Sequence, residues 1–169
     1  GWDTRKPPGL AEKDPDPGEE PGPCQSTMQD VPKVAAVCVN WNGGDSLKDT
    51  LESIIASDYT GITVLVVDNA STDGSLENLP PGTRVLRLSQ NYGYGEALNR
   101  GIEYLEREEA DSVPVYYLFM NNDLTLDPET VSGLVAEAEK NGPGIYGPSV
   151  VCRDNPGQLE AAWGRITWS

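Results

Sequence analysis

Four polar clusters hold most of the chemistry in this chain, and three of them follow an apolar run directly. Val34 to Val39 runs into Asn40-Trp41-Asn42-Gly43-Gly44, and Ile62 to Val67 into Asp68-Asn69-Ala70-Ser71-Thr72-Asp73-Gly74. Val115 to Met120 runs into Asn121-Asn122-Asp123. The fourth, Asn91-Tyr92-Gly93-Tyr94-Gly95-Glu96-Ala97-Leu98-Asn99, feeds a stretch of helical spacing. Asparagine amides offer both a donor and an acceptor, so Asn40, Asn42, Asn69, Asn91 and Asn99 can read a polar ligand. A carboxylate at a strand end, such as Asp68, can accept from a base imide or a ribose hydroxyl. Asp123 offers a hard oxygen to Mg²⁺ or Mn²⁺, and Asn121 can add a neutral one. Gly93 lets backbone approach a ligand closely. Each cluster taken alone also reads as ordinary turn and capping chemistry.

What raises the clusters above turns is the set of elements that must position them. The apolar runs are continuous rather than alternating, which suits parallel strands covered on both faces. Strands are expected at Val34–Val39, Ile62–Val67, Arg84–Leu88, Val115–Met120 and Ile145–Val151. Between them, Leu47, Leu51, Ile54 and Ile55 form a helical stripe with Asp45 as its cap. A short helix is expected from Gly74 to before Pro80-Pro81, and a longer one with Leu98, Ile102 and Leu105 on one face. Asp127-Pro128-Glu129 predicts a helix start, Val131, Leu134, Val135 and Ala138 its stripe, and Asn141-Gly142-Pro143 its end. This alternation predicts an α/β fold, a Rossmann-like, doubly wound, mostly parallel sheet with helices on both faces. In such a sheet the carboxyl ends of the strands share one rim, where ligands bind. The rim would gather the clusters into a site for a polar, phosphate-bearing ligand.

Composition narrows the choices. Residues 1–30 are rich in Pro, Gly and acids and lack apolar periodicity, so they are expected to be a disordered tail, with the folded domain at 31–169. Met28 is a candidate natural start, and residues 1–27 a leader or a misassigned start. The net charge is −15, with −4 in the tail and −11 beyond it. That argues against nucleic acid or a broad anionic membrane surface as partner. An acidic protein that binds phosphate needs a metal or helix N-termini to offset repulsion. There is no histidine, which removes His triads and His-ligated zinc. Cys24, Cys38 and Cys152 make neither a disulfide framework nor a zinc pattern and read as reduced cytoplasmic thiols. No run approaches membrane-spanning length. The two common phosphate loops are missing: there is no GxxxxGK[ST], and Leu98 stands where GxGxxG needs its third glycine.

The ordered series VNWNG (39–43), VVDNASTDGS (66–75), NYGYGEALNRGI (91–102) and MNNDLTLDPE (120–129) resembles the family 2 glycosyltransferases, and within them a rhamnosyltransferase-like branch. The resemblance covers about Val31 to Val151. It implies a GT-A fold, a nucleotide-diphosphate sugar donor of the dTDP or UDP type, and a divalent metal, Mg²⁺ or Mn²⁺. Positions matching Asn40, Asn42, Asp68 and Asn91 would touch the nucleotide, and Trp41, Asn69, Gly93, Asn99, Asn121 and Asn122 complete the expected nucleotide set. Asn121-Asn122-Asp123 stands where the family has its DxD metal motif, with Asp123 and Asn121 as metal residues. The first carboxylate of that motif is an amide here. The family's catalytic base lies well downstream, so it is expected beyond Ser169; Asp154 and Glu160 have unlike surroundings. The reaction implied is inverting transfer of a sugar to a glycan or lipid-linked acceptor hydroxyl. The expected location is the cytoplasm, with the inner membrane face as a peripheral alternative. Two rivals stand beside it: a non-catalytic nucleotide-binding fragment or pseudoenzyme, and a sugar nucleotidyltransferase. The second wants a cation in the loop after the first strand, and Asn40 to Gly44 holds none.

Overall fold

The structure is a computed structural model that describes residues 31–110, 112–152 and 155–161. The elements are β1 (Val34–Asn40), α1 (Gly44–Ile55), β2 (Ile62–Asp68), β3 (Arg84–Arg87), α2 (Tyr94–Glu108), β4 (Tyr116–Asn121), α3 (Thr130–Asn141), β5 (Val150–Cys152) and β6 (Asn155–Ala161). The first four strands form one parallel sheet in the order β3-β2-β1-β4. The chain runs outward from β1 to β3 and then returns to the other side of β1. This is the α/β doubly wound sheet that the alternation predicts, with its topological switch between β1 and β4.

All seven residues of β1 are buried, because helices cover both of its faces. Ala36 and Cys38 pack with Val64, Val66 and Met120 under Leu47, Leu51 and Ile54 of α1. Val34 on the same face meets Val131 and Val135 of α3. On the opposite face, Ala35, Val37 and Val39 pack with Leu65 and Val67 under Ala97 and Leu105 of α2. Gly101 completes that contact. A Cβ there would lie 2.7 Å from Val67 Cγ2 and 3.1 Å from Val37 Cγ1, so only glycine lets α2 lie this close to the sheet. The buried face of α2 is thus Ala97-Gly101-Leu105, whereas the sequence stripe put Leu98 and Ile102 beside Leu105; both are half-buried flanks.

Other expectations need correction. The N-cap of α1 is Gly43, and Asp45 sits inside the first turn. Ile55 is 46% exposed rather than part of the stripe. Residues 74–79 form a turn, closed by Glu77 N donating to Gly74 O, and not a helix. α3 starts at Thr130 rather than at Pro128, and Asp127 makes no side-chain cap. The Pro128 carbonyl is already taken by Asp58 N and Ser57 Oγ, so it cannot open the helical ladder. Gly142 does end α3, with φ of 82°.

The fifth strand differs most. Residues 145–149 are irregular, and Ile145 is 80% exposed. Pro148 lacks the N–H that a ladder requires, so the run cannot continue as a central strand. Val150–Cys152 instead pairs antiparallel with β6 in a separate two-stranded sheet. The tail and Asp154 lie outside the described residues.

Candidate functional site

Register places the clusters on one rim. Asn40 stands opposite Asp68 across β1 and β2, and Val39 opposite Asn121 across β1 and β4. The polar residues then separate into two hydrogen-bonded groups.

The first group centres on Asn40, which is fully buried. Its Nδ2 donates toward Asp68 Oδ1 (3.2 Å), Ser71 Oγ (3.0 Å) and Ser75 Oγ (2.8 Å). Its Oδ1 accepts from Asn122 Nδ2 at 2.9 Å. Asn42 ties the β1 and β2 loops together: its N–H donates to Ser71 Oγ, and its Oδ1 accepts from Thr72 N. Asp73 is held below the usual carboxylate range by the Ser75 hydroxyl first, and then by the Ser75 and Gly44 N–H groups that donate to it. Asn42 and Ala70 both take left-handed conformations, φ 52° and 64°, within these loops. Asp68 is 2% exposed and sits at the floor of this group, its Oδ2 accepting from Ser71 N.

The second group lies toward α2. Asn69 Nδ2 donates to Asn91 Oδ1 (2.9 Å) and Gly93 O (3.3 Å), and Asn69 Oδ1 accepts from Tyr92 N. Gly93 N donates back to Asn91 Oδ1. Gly93 itself has φ of 82° at the start of α2, a backbone state that favours glycine. Asn69 N donates to Asn40 O, which joins the two groups through backbone.

Four expected residues stand outside both groups. Trp41 is 57% exposed, and Asn99, Asn121 and Asp123 are exposed as well. The side chains of all four have no hydrogen-bond partner among the described residues. Among the described residues no three Cys, Asp or Glu side chains converge as a metal cage. Asp123 nonetheless projects charge inward: burial first, and then this carboxylate, push the Cys38 thiol up to about 12. A cleft of about 190 Å³ flanks the first group, lined by Gly44, Lys48, Asp73, Ser75 and Glu77, but it includes neither Asp68 nor Asp123.

Sequence reading missed Ser71, Ser75, Asp73 and Gly43 as parts of this arrangement. The Ser-Thr-Asp-Gly-Ser run reads as a turn, and it is one. That it serves as the acceptor set of a buried amide from another strand has no local signal.

A doubly wound sheet with loops from three strand ends meeting at its switch point is an architecture that binds ligands on that rim. Comparison with known proteins agrees. The family model described as Glycosyl transferase family 2 matches residues 36–166. An N-acetylglucosaminyl-diphospho-decaprenol L-rhamnosyltransferase from Mycobacterium tuberculosis is 31% identical over 140 residues, 78% of this chain and 44% of that protein. The structure of S. aureus TarS 1-349 in complex with UDP-GlcNAc has a TM-score of 0.53 at 22% identity, covering 70% of this chain and 40% of that one. A Pyrobaculum calidifontis mannosyltransferase in complex with GDP-Man and Mn²⁺ has a TM-score of 0.55 at 21% identity, covering 63% and 32%. The chain spans less than half the length of each of these three proteins. It belongs to glycosyl transferase family 2, in a rhamnosyltransferase-like branch, and its sheet has the GT-A fold.

Proposed function

We propose that this chain carries the donor half of a metal-assisted, inverting glycosyltransferase, which moves a sugar from a nucleotide-diphosphate donor to an acceptor hydroxyl. The observation that carries this reading is a buried carboxylate, Asp68, and an exposed one, Asp123, on one rim, with Asp68 tied through Asn40 to Asn122, the chain neighbour of Asp123. A buried carboxylate at the end of a strand suits a base imide or ribose hydroxyl. The exposed indole of Trp41, which follows Asn40 in the chain, offers a stacking face. Asn42, Asn69, Asn91 and Gly93 shape the floor and its α2 side. Asn99 and Asn121 have exposed amides with no partner among the described residues, available to meet the ligand.

The donor set fits a divalent ion. Asp123 is a hard oxygen ligand with no side-chain hydrogen bond among the described residues, and together with Asn121 two residues before it would hold such an ion. Such an ion supplies charge that stabilises a departing diphosphate. The residues described here bind and orient the nucleotide. The base that takes the acceptor proton is assigned to a carboxylate outside residues 31–161.

The donor is proposed to be of the dTDP or UDP type and the acceptor a glycan or lipid-linked sugar; the M. tuberculosis relative's name supports both the rhamnosyl and the lipid-linked element. Among the described residues no helix is long and apolar enough to cross a membrane.

The test is calorimetric titration of the chain with UDP, dTDP and GDP, each with and without Mn²⁺. The reading expects metal-dependent binding of one nucleotide, with the metal increment lost in Asp123→Ala. A folded sample that binds none of the three would overturn it.

A further inference from the structure

We infer that Asn122, at the centre of the Asn-Asn-Asp cluster, is a positioning residue: with Asn40 and Asp68 it forms a one-way hydrogen-bond relay that holds the Asp123 turn in register with Asp68. The inference deepens the donor-site reading and rests on it only for what Asp123 and Asp68 bind.

The direction of the relay follows from chemistry. Asp68 is acceptor-only when ionised, so the Asn40 group facing it must be the NH₂. That leaves the Asn40 carbonyl oxygen pointing across the β1–β4 switch, where it accepts from Asn122 Nδ2 at 2.9 Å. Ser71 and Ser75 can reverse their hydroxyls, but Asp68 cannot reverse its role, so it sets the sense of the whole chain. Position 122 must therefore present a donor. A carboxylate there has the same shape and the wrong polarity. Facing Asn40 Oδ1, it makes an oxygen–oxygen contact. If the Asn40 amide flips to meet it, the contact moves to Asp68. Because Asn40 is fully buried, no water replaces the lost bond cheaply.

Space for the relay is provided by Gly43. A Cβ at that position would lie 2.4 Å from Asn122 Nδ2 and 2.5 Å from Asn40 Oδ1, inside the bond itself. Both atoms are pinned, so neither can swing away without giving the bond up. The glycine before α1 and the amide of the β4 turn are thus two halves of one device.

The experiment compares Asn122→Ala, Asn122→Asp and Gly43→Ala in the full chain, measuring nucleoside and nucleoside-diphosphate affinity with and without Mn²⁺. All three variants are expected to lose about tenfold in Mn²⁺-dependent diphosphate affinity. Asn122→Asp is expected to bind no better than Asn122→Ala, despite its shape and added charge. Asn122→Asp at or above wild-type affinity overturns the relay, since that is what a residue acting only as a metal-side oxygen would do. Two readouts need no nucleotide and separate this inference from the functional reading. Without ligand, Asn122→Asp should melt no higher than Asn122→Ala, both below wild type. In the wild-type protein, an Asn122 side-chain amide proton should be protected from solvent exchange on an NMR timescale. Rapid exchange of that NH₂ would overturn the relay even where the variants fail to fold, and even where no nucleotide binds.

Discussion

The close approach of α2 to the sheet makes opposite predictions for one substitution at two helical glycines. Gly101 and Gly133 both lie inside helices, where Gly→Ala gains about 1 kcal/mol of propensity. At Gly133 a Cβ meets nothing within 4 Å. Gly133→Ala is therefore expected to stabilise by about 0.5–1 kcal/mol. At Gly101 the new methyl stands 2.7 Å from Val67 Cγ2, about 0.7 Å short of ordinary contact at 3.4 Å. Val67 is itself fully buried and packed in the same cluster as Leu65 and Ala97, so it has no free direction to yield. Overpacking costs about 1–3 kcal/mol, and a contact this short against a packed side chain puts it at about 2–3, from which the propensity gain of about 1 is subtracted. The net is a loss of about 1–2 kcal/mol, or a melting point roughly 3–8 °C lower for a domain of this size. The assay is urea and thermal unfolding of wild type and both single variants, read by circular dichroism. The reasoning is refuted if Gly101→Ala is as stable as wild type, or if the two variants shift in the same direction. Either result would mean that α2 does not rest on the sheet as described.

Two further predictions concern local chemistry. The Cys38 thiol has its pKa raised from 9.0 to about 12 by burial and by Asp123, so the folded state holds its proton where the unfolded chain releases it. That contribution is complete below about pH 9 and is lost as pH rises toward 12; stability should fall through this window, and Cys38→Ala should flatten the fall in unfolding curves taken from pH 8 to 11. Because Asp127 makes no cap bond, Asp127→Ala should change unfolding free energy by less than about 0.5 kcal/mol, whereas a true N-cap would lose about 1; a loss of that larger size would restore the cap that the sequence suggests.

How much of this was legible in the sequence depends on the range of the forces involved. The runs at 34–39, 62–67 and 115–120 mark their strands because burial on both faces demands continuous apolar residues, and the structure places all three within a residue or two. Helix ends were less legible, because they are settled by partners far away in sequence: Asp58 and Ser57 take the Pro128 carbonyl and delay α3, though nothing in Asp-Pro-Glu announces it. The face of α2 was misjudged for a related reason. A periodicity argument ranks Leu98 and Ile102 above Ala97 and Gly101, but the sheet selects the residues that allow the closest approach, and those are the small ones. The rim shows both limits together. That amides and carboxylates would meet there follows from topology, since strand ends share an edge. Which of them face a ligand does not follow, because asparagine can serve the fold or the ligand equally well. Asn40, Asn69 and Asn91 carry the same side chain as Asn99 and Asn121, yet the first three spend their amides inside the protein and the last two do not. For Asn40 the orientation is set by the acceptor-only Asp68, and for Asn69 and Asn91 by the backbone N–H groups of Tyr92 and Gly93. Hydrogen-bond polarity is a property of the assembled network, and it becomes readable only when the strands stand side by side.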